Sequence, residues 1–125
     1  MLMNTAVRRC RVDLEAYYGL ISPTQAKAVL AFSPEPHDTA DLSPRFFSDY
    51  YGVPEDPATG SANGCLAAYL VEHRYFDTDF VGVRVEQGHE IGRPSLLYLA
   101  AEKREGEIRV SVGGKVQMVA KGELL

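Results

Sequence analysis

The stretch Asp56-Pro57-Ala58-Thr59-Gly60-Ser61 brings a carboxylate and two hydroxyls to what reads as the start of a helix. Pro57 forces Asp56 toward extended geometry, so a helix cannot include Asp56. Thr59 is a good N-cap residue, and Gly60 has no side chain to block a close approach to the backbone. The first helical turn then leaves the N–H groups of Gly60, Ser61 and Ala62 unpaired beside a partial positive charge. Such a mouth accepts a carboxylate or a phosphate. Asp56, just outside it, can accept from an amine or hydroxyl of the same ligand. The plainer alternative is a capped core helix, with Asp56 balancing the helix dipole and no ligand at all.

The helix that would carry this mouth has no charged residue from Ser61 to Val71. Ala62, Cys65, Leu66, Tyr69, Leu70 and His73 share one face; Gly64, Ala67, Ala68 and Val71 share the other. A helix apolar all round is expected to be buried all round, with Cys65 a small core residue. At about 14 residues and ~21 Å it is too short to span a bilayer.

The remaining chain must wrap that helix. Residues 13–20 have the pattern of a short helix, broken at Ser22-Pro23. Residues 27–32 read as a buried strand, and residues 42–51 have strand propensity after Pro44. Val81, Val83 and Val85 alternate with Gly82, Arg84 and Glu86, a half-buried strand. Residues 95–102 are a more apolar strand, and Ile108, Val110 and Val112 alternate in the next. Gly113-Gly114 suits a two-residue hairpin turn, after which Val116, Met118 and Ala120 form a returning strand. The expected fold class is therefore α+β: a curved, mostly antiparallel sheet, half-barrel to barrel, around one central buried helix. Residues 1–26 form a loose segment or short helix, and residues 27–125 a single domain.

Composition narrows the function classes. The chain has 125 residues with 46% hydrophobic and 24% charged content, ordinary for a globular domain. A net charge of -4 gives no electrostatic case for nucleic acid. Arg8, Arg9 and Arg11 read as a solvated end. Cys10 and Cys65 make no disulfide framework. Arg8, Arg9, Arg11 and Asp13 interrupt any apolar leader, so a cytoplasmic location with no membrane association is the default. His37, His73 and His89 lack zinc-like spacing with a cysteine, and no metal is expected. Each is a loop or helix-end histidine, and a functional role for any of them is the lesser reading.

The string P-E-D-P-A-T-G-S-A-N-G-C-L-A-A-Y-L, followed by V-E-Q-G-H-E-I-G-R-P-S, resembles the phenazine-biosynthesis isomerase (PhzF-like) family, of the diaminopimelate-epimerase-like fold. The resemblance runs from about Ala28 to the C-terminus and covers only that family's C-terminal domain. It implies that Asp56 and Ser61 are catalytic-site residues, with a substrate carboxylate at the helix mouth formed by Thr59, Gly60 and Ala62. Gln87, Gly88 and Arg93 match the family's second motif; Arg93 could pair a carboxylate or serve to stiffen the loop. The resemblance implies a cofactor-independent isomerase that shifts a proton on a small carboxylate-bearing substrate. It also implies that the family's proton-moving glutamate, carried by an N-terminal domain, has no counterpart here. One half of a site, inactive alone, is the expectation; a non-catalytic carboxylate-binding or vestigial domain is the alternative. A cysteine-based epimerase fits less well, because the mouth carries Asp56 and Ser61 while Cys65 lies a turn deeper. The face left by the missing half would be covered by a second copy in a homodimer or by a separate N-terminal-domain chain.

Overall fold

A computed structural model describes residues 4–35 and 37–125. Two helices lead, α1 (Asn4–Arg9) and α2 (Leu14–Ile21). Asp13 caps α2, its carboxylate accepting from the Ala16 N–H at 2.9 Å. Strands β1 (Val29–Ser33), β2 (Ser43–Ser48) and β3 (Val53–Asp56) form a first antiparallel sheet in that order. Helix α3 (Gly60–Glu72) follows, and then β4 (Phe80–Gln87), β5 (Ser95–Arg104) and β6 (Glu107–Gly114) form a second antiparallel sheet, again in order.

The core lies between α3 and the second sheet. Val81 faces Ala101 and Val85 faces Leu97 across β4 and β5, and these side chains are buried with Leu99. From the helix come Leu66, Ala67, Leu70 and Val71. Gly64 brings the backbone close: a Cβ there would stand 3.5 Å from the Val112 side chain. The alternation of β4 and β5 does what period-2 patterning predicts, placing Leu97, Leu99 and Ala101 inward and Leu96 and Tyr98 outward.

The class α+β stands, but the sheet is divided. The two sheets meet at one bridge, Leu42 beside Val85, where the Leu42 N–H donates to the Arg84 carbonyl and the Glu86 N–H to the Leu42 carbonyl. Two residues on, Pro44 has no N–H with which to extend such a ladder. The helix is also not enclosed. Ser61, Cys65 and Tyr69 form an i, i+4 stripe that is exposed, Tyr69 by 47%. Cys65 is therefore a surface residue rather than a core one. Its stripe faces the gap between α3 and the first sheet, where Ser61 and Cys65 line open space and the Tyr69 ring meets that of Phe32, with centroids 6.3 Å apart.

The returning strand after Gly113-Gly114 is absent. Both glycines stay on β6, paired with Tyr98 and Leu97, and neither has the positive φ that a hairpin turn requires. The tight turn lies earlier, at Glu105 (φ 54°) and Gly106 (φ 82°), which join β5 to β6. Among the described residues no helix is long and apolar enough to cross a membrane.

The N-terminal segment is tied down. The Arg45 side chain, 5% exposed on β2, donates from Nη1 to the carbonyls of Val7, Arg8 and Cys10 at 3.0–3.1 Å. These carbonyls lie where α1 ends; that of Val7 also accepts from the Cys10 N–H and that of Cys10 from Arg11. Nε and Nη2 donate to both oxygens of Glu55, at 2.9 and 2.7 Å. The hydrogen bonds to Glu55 raise the Arg45 pKa above its ordinary value, while burial opposes. Beside it, Glu86 accepts from the N–H groups of His37 and Asp38, at 2.9 and 3.2 Å. Arg8 Nε donates to His37 Nδ1 at 3.2 Å and His37 Nε2 lies 2.8 Å from Glu90. A guanidinium only donates, so His37 Nδ1 accepts from Arg8, while Nε2 of the same ring faces the Glu90 carboxylate. Its ring stacks on that of His89, with centroids 4.2 Å apart.

Candidate functional site

The gap beside α3 is a cleft of about 640 Å³. Asp56 from the end of β3, Thr59 from the turn, and Ser61, Ala62 and Cys65 from α3 line one side. Leu30 of β1, Phe46 and Ser48 of β2, Tyr51, Val53, and the segment Gln25 to Ala28 line the other. The helix stripe that water sees is thus the cleft wall, which explains an apolar helix that is only half buried.

The turn that positions Asp56 is held from behind. Gln87, 1% exposed at the end of β4, donates from Nε2 to the Asp56 carbonyl at 2.7 Å and to Thr59 Oγ1 at 3.0 Å. Its Oε1 accepts from Asn63 Nδ2 at 2.7 Å and, more weakly, from the Thr59 N–H at 3.4 Å. Asn63 Nδ2 also donates to the Thr59 carbonyl at 2.9 Å. Thr59 Oγ1 accepts from Gln87, so its own proton goes to Asp56 Oδ2 at 2.5 Å. Gln87 donates to the Asp56 carbonyl and Thr59 to its carboxylate, so Oδ2 is an acceptor held in one place. A second, buried oxygen, Asn63 Oδ1, has no hydrogen-bond partner among the described residues.

Thr59 does not cap α3 with its side chain, contrary to the expectation. Its hydroxyl oxygen accepts instead from Gln87 Nε2, and its proton goes to the charged Asp56 carboxylate, which together set its orientation. Among the described residues the N–H groups of Gly60, Ser61 and Ala62 therefore have no acceptor, while Asn63 N–H bonds the Thr59 carbonyl at 3.1 Å. The mouth of α3 offers the open amides of Ser61 and Ala62, a serine hydroxyl and a fixed carboxylate within one cleft.

Of the residues expected at the site, Asp56, Thr59, Ser61 and Ala62 line this cleft. Gly60 lies on the other flank, in a hollow beside Pro94, Ser95 and Val112. Gln87 and Gly88 are buried behind the turn and support it. Gly88 has φ 90°, and a Cβ there would sit 2.3 Å from the Arg93 carbonyl oxygen and 2.8 Å from that of Pro57. Arg93 is exposed and outside the cleft lining; its backbone N–H donates to the Gly88 carbonyl at 2.9 Å, closing the loop. Lys27 was not singled out in the sequence. It lines the cleft while its Nζ donates to the Ile21 carbonyl at 2.8 Å. Among the described residues no three His, Cys, Asp or Glu side chains converge to hold a metal ion.

Comparison with known proteins gives a consistent picture. The family model described as "Phenazine biosynthesis-like protein" matches residues 5–122. Trans-2,3-dihydro-3-hydroxyanthranilate isomerase of Pseudomonas chlororaphis is 44% identical over 84 residues, 65% of this chain and 29% of that protein. The enzyme of the same name from Pseudomonas aeruginosa is 48% identical over 75 residues, 56% of this chain and 26% of that protein. The crystal structure of a PhzF-family phenazine biosynthesis protein of Bacillus anthracis superposes with a TM-score of 0.79 at 24% identity, covering 91% of this chain and 40% of that one. The chain thus spans under a third of the length of these curated relatives.

Proposed function

The chain belongs to the phenazine biosynthesis-like protein family, and on that premise we propose that it supplies one half of a cofactor-independent, proton-shifting isomerase site for a small carboxylate-bearing substrate. The carrying observation is the convergence, in one cleft, of the open amides at the α3 mouth, the Ser61 hydroxyl and the fixed carboxylate of Asp56. The amides and Ser61 bind the substrate carboxylate, with the helix dipole favouring the negative charge. Asp56 accepts from an amine or hydroxyl on the same molecule and so sets its orientation. The apolar wall of Leu30, Phe46 and Val53 takes the carbon skeleton. The activity for which the Pseudomonas relatives are named makes a cyclic amino- or hydroxy-carboxylate the natural candidate.

Moving a proton from one carbon to another needs a group that removes it and returns it, within hydrogen-bond reach of both. Asp56 is the only carboxylate lining the cleft among the described residues, and one of its oxygens is engaged by Thr59. This chain alone therefore binds without turnover, and the proton-moving group comes from a complementary half. That same observation favours the second reading, a domain that binds a carboxylate and catalyses nothing.

Titration with 3-hydroxyanthranilate followed by amide NMR should shift Thr59, Gly60, Ser61 and Ala62 most. Ser61→Ala should weaken binding roughly tenfold, the loss of one hydrogen bond to a charged group. Shifts centred elsewhere, or unchanged affinity, would remove the site. Solvent-deuterium incorporation into the relatives' substrate should be nil with this chain alone. It should appear when the N-terminal part of the Pseudomonas chlororaphis enzyme is added; if it does not, the non-catalytic reading holds.

A further inference from the structure

Of the residues that line the cleft, only Asp56 and Lys27 carry a charge. Lys27 is half-buried and belongs to the wall across from the α3 mouth. Its Nζ donates to the Ile21 carbonyl at 2.8 Å and to the Ser22 carbonyl at 3.4 Å, where α2 ends. These carbonyls hold the ammonium in place without neutralising it. The Tyr50 ring, 5.7 Å from Nζ, is a weak further partner. An ammonium has three N–H donors, so one is left without an acceptor among the described residues, and no carboxylate pairs with it there. Gln25, two residues earlier, lines the same wall, and its side-chain amide has no hydrogen-bond partner among the described residues.

We infer that Lys27, with Gln25, forms a second acceptor-binding pole of the cleft, and that the ligand carries a further acidic group at the end of its skeleton away from the α3 mouth. The ligand class is then a cyclic amino- or hydroxy-dicarboxylate. This rests on the reading of the α3 mouth as a carboxylate site. The argument is one of charge. The first carboxylate goes to uncharged donors, the amides of Ser61 and Ala62 and the Ser61 hydroxyl. An amine or hydroxyl of the ligand goes to Asp56. A ligand with nothing more would press its ring against Leu30, Phe46 and Val53, strip water from the cleft, and leave the Lys27 charge without a counterion. Losing hydration with no partner in return is unfavourable. A second carboxylate on the facing wall supplies the counterion and takes the open N–H groups of Lys27 and Gln25.

Anthranilate is compared with 2-aminoterephthalate and 4-aminoisophthalate, each of which adds one carboxylate to it, by amide NMR titration of the chain. All three should shift Thr59 to Ala62. At least one dicarboxylate should bind about tenfold more tightly than anthranilate and should also shift Gln25 to Ala28. That preference should shrink as salt rises, the mark of an ion pair. Lys27→Met should abolish it and leave anthranilate affinity within about twofold. The salt series and the Gln25 to Ala28 shifts use the unaltered chain, so they stand even if Lys27→Met loosens α2. Equal affinities, with Gln25 to Ala28 unmoved, overturn the inference and leave the carboxylate reading intact. A preference that survives Lys27→Met overturns it too. No shift at Thr59 to Ala62 with any of the three overturns both.

Discussion

Replacing Arg45 by methionine should cost about 3–5 kcal/mol of stability. The volume is nearly kept, so the loss is electrostatic. Glu55, whose side chain is 10% exposed, would be left as a buried anion without its bidentate partner. The Arg8 carbonyl would lose its donor at the end of α1, and the carbonyls of Val7 and Cys10 would each lose one of two. Glu90 Oε2 lies 3.9 Å from the same guanidinium and cannot help, being an anion itself. Urea unfolding gives the free energy. Trypsin reports the local effect, because Arg8, Arg9 and Arg11 follow or end the helix that Arg45 holds. Cleavage there should accelerate well beyond what global destabilisation explains. Arg45→Lys should recover only part, since an ammonium cannot span both Glu55 oxygens and three carbonyls. A variant within 1 kcal/mol of the parent, with unchanged cleavage, would show that α1 does not depend on this residue.

Arg45 also marks a limit of sequence reading. In S-P-R-F-F-S it resembles an outward polar residue between strand-forming ones. Only partners 10 and 38 residues away make it a buried hub. Strands β4, β5 and β6 were legible because their alternation is local and one face of each sheet must be buried. The turn and the start of α3 were legible because Pro57 by itself keeps the residue before it out of a helix. The family resemblance rested on the same stretch and is supported by the family match. Gly113-Gly114 was not legible. Two glycines permit either a turn or a strand, and the pairing with Tyr98 and Leu97 decides it. Cys65 was misread for a related reason: composition cannot separate an apolar core face from an apolar cleft wall. The Thr59 cap failed because a helix N–H and the Gln87 amide compete as donors for one hydroxyl oxygen, and Gln87 comes from a strand far along the chain. The His37–Glu90 and Glu86 contacts lay beyond any pattern, since loop histidines carry no periodicity.

Gly88→Ala should be the most damaging small substitution near the site. Two costs coincide there. A φ of 90° is strained for any residue with a Cβ, by about 1–3 kcal/mol. The Cβ would also stand 2.3 Å from the Arg93 oxygen and 2.8 Å from the Pro57 oxygen, both backbone atoms that no rotamer change can move. Overpacking of this kind adds about 1–3 kcal/mol. Gly92→Ala separates the two. Gly92 has φ 69° in the same loop, but a Cβ there meets nothing within 4 Å, so only the conformational cost applies. The difference in unfolding free energy between the two variants measures the close approach. The chain relieves that clash by moving the Pro57 turn away from the 88–93 loop, and Asp56 precedes Pro57 directly. Gly88→Ala should therefore shift the amide resonances of Asp56 through Ala62 and weaken 3-hydroxyanthranilate binding, while Gly92→Ala leaves both near the parent. Equal losses in the two variants would mean that strain alone governs the loop and that Gly88 plays no part in setting the position of Asp56.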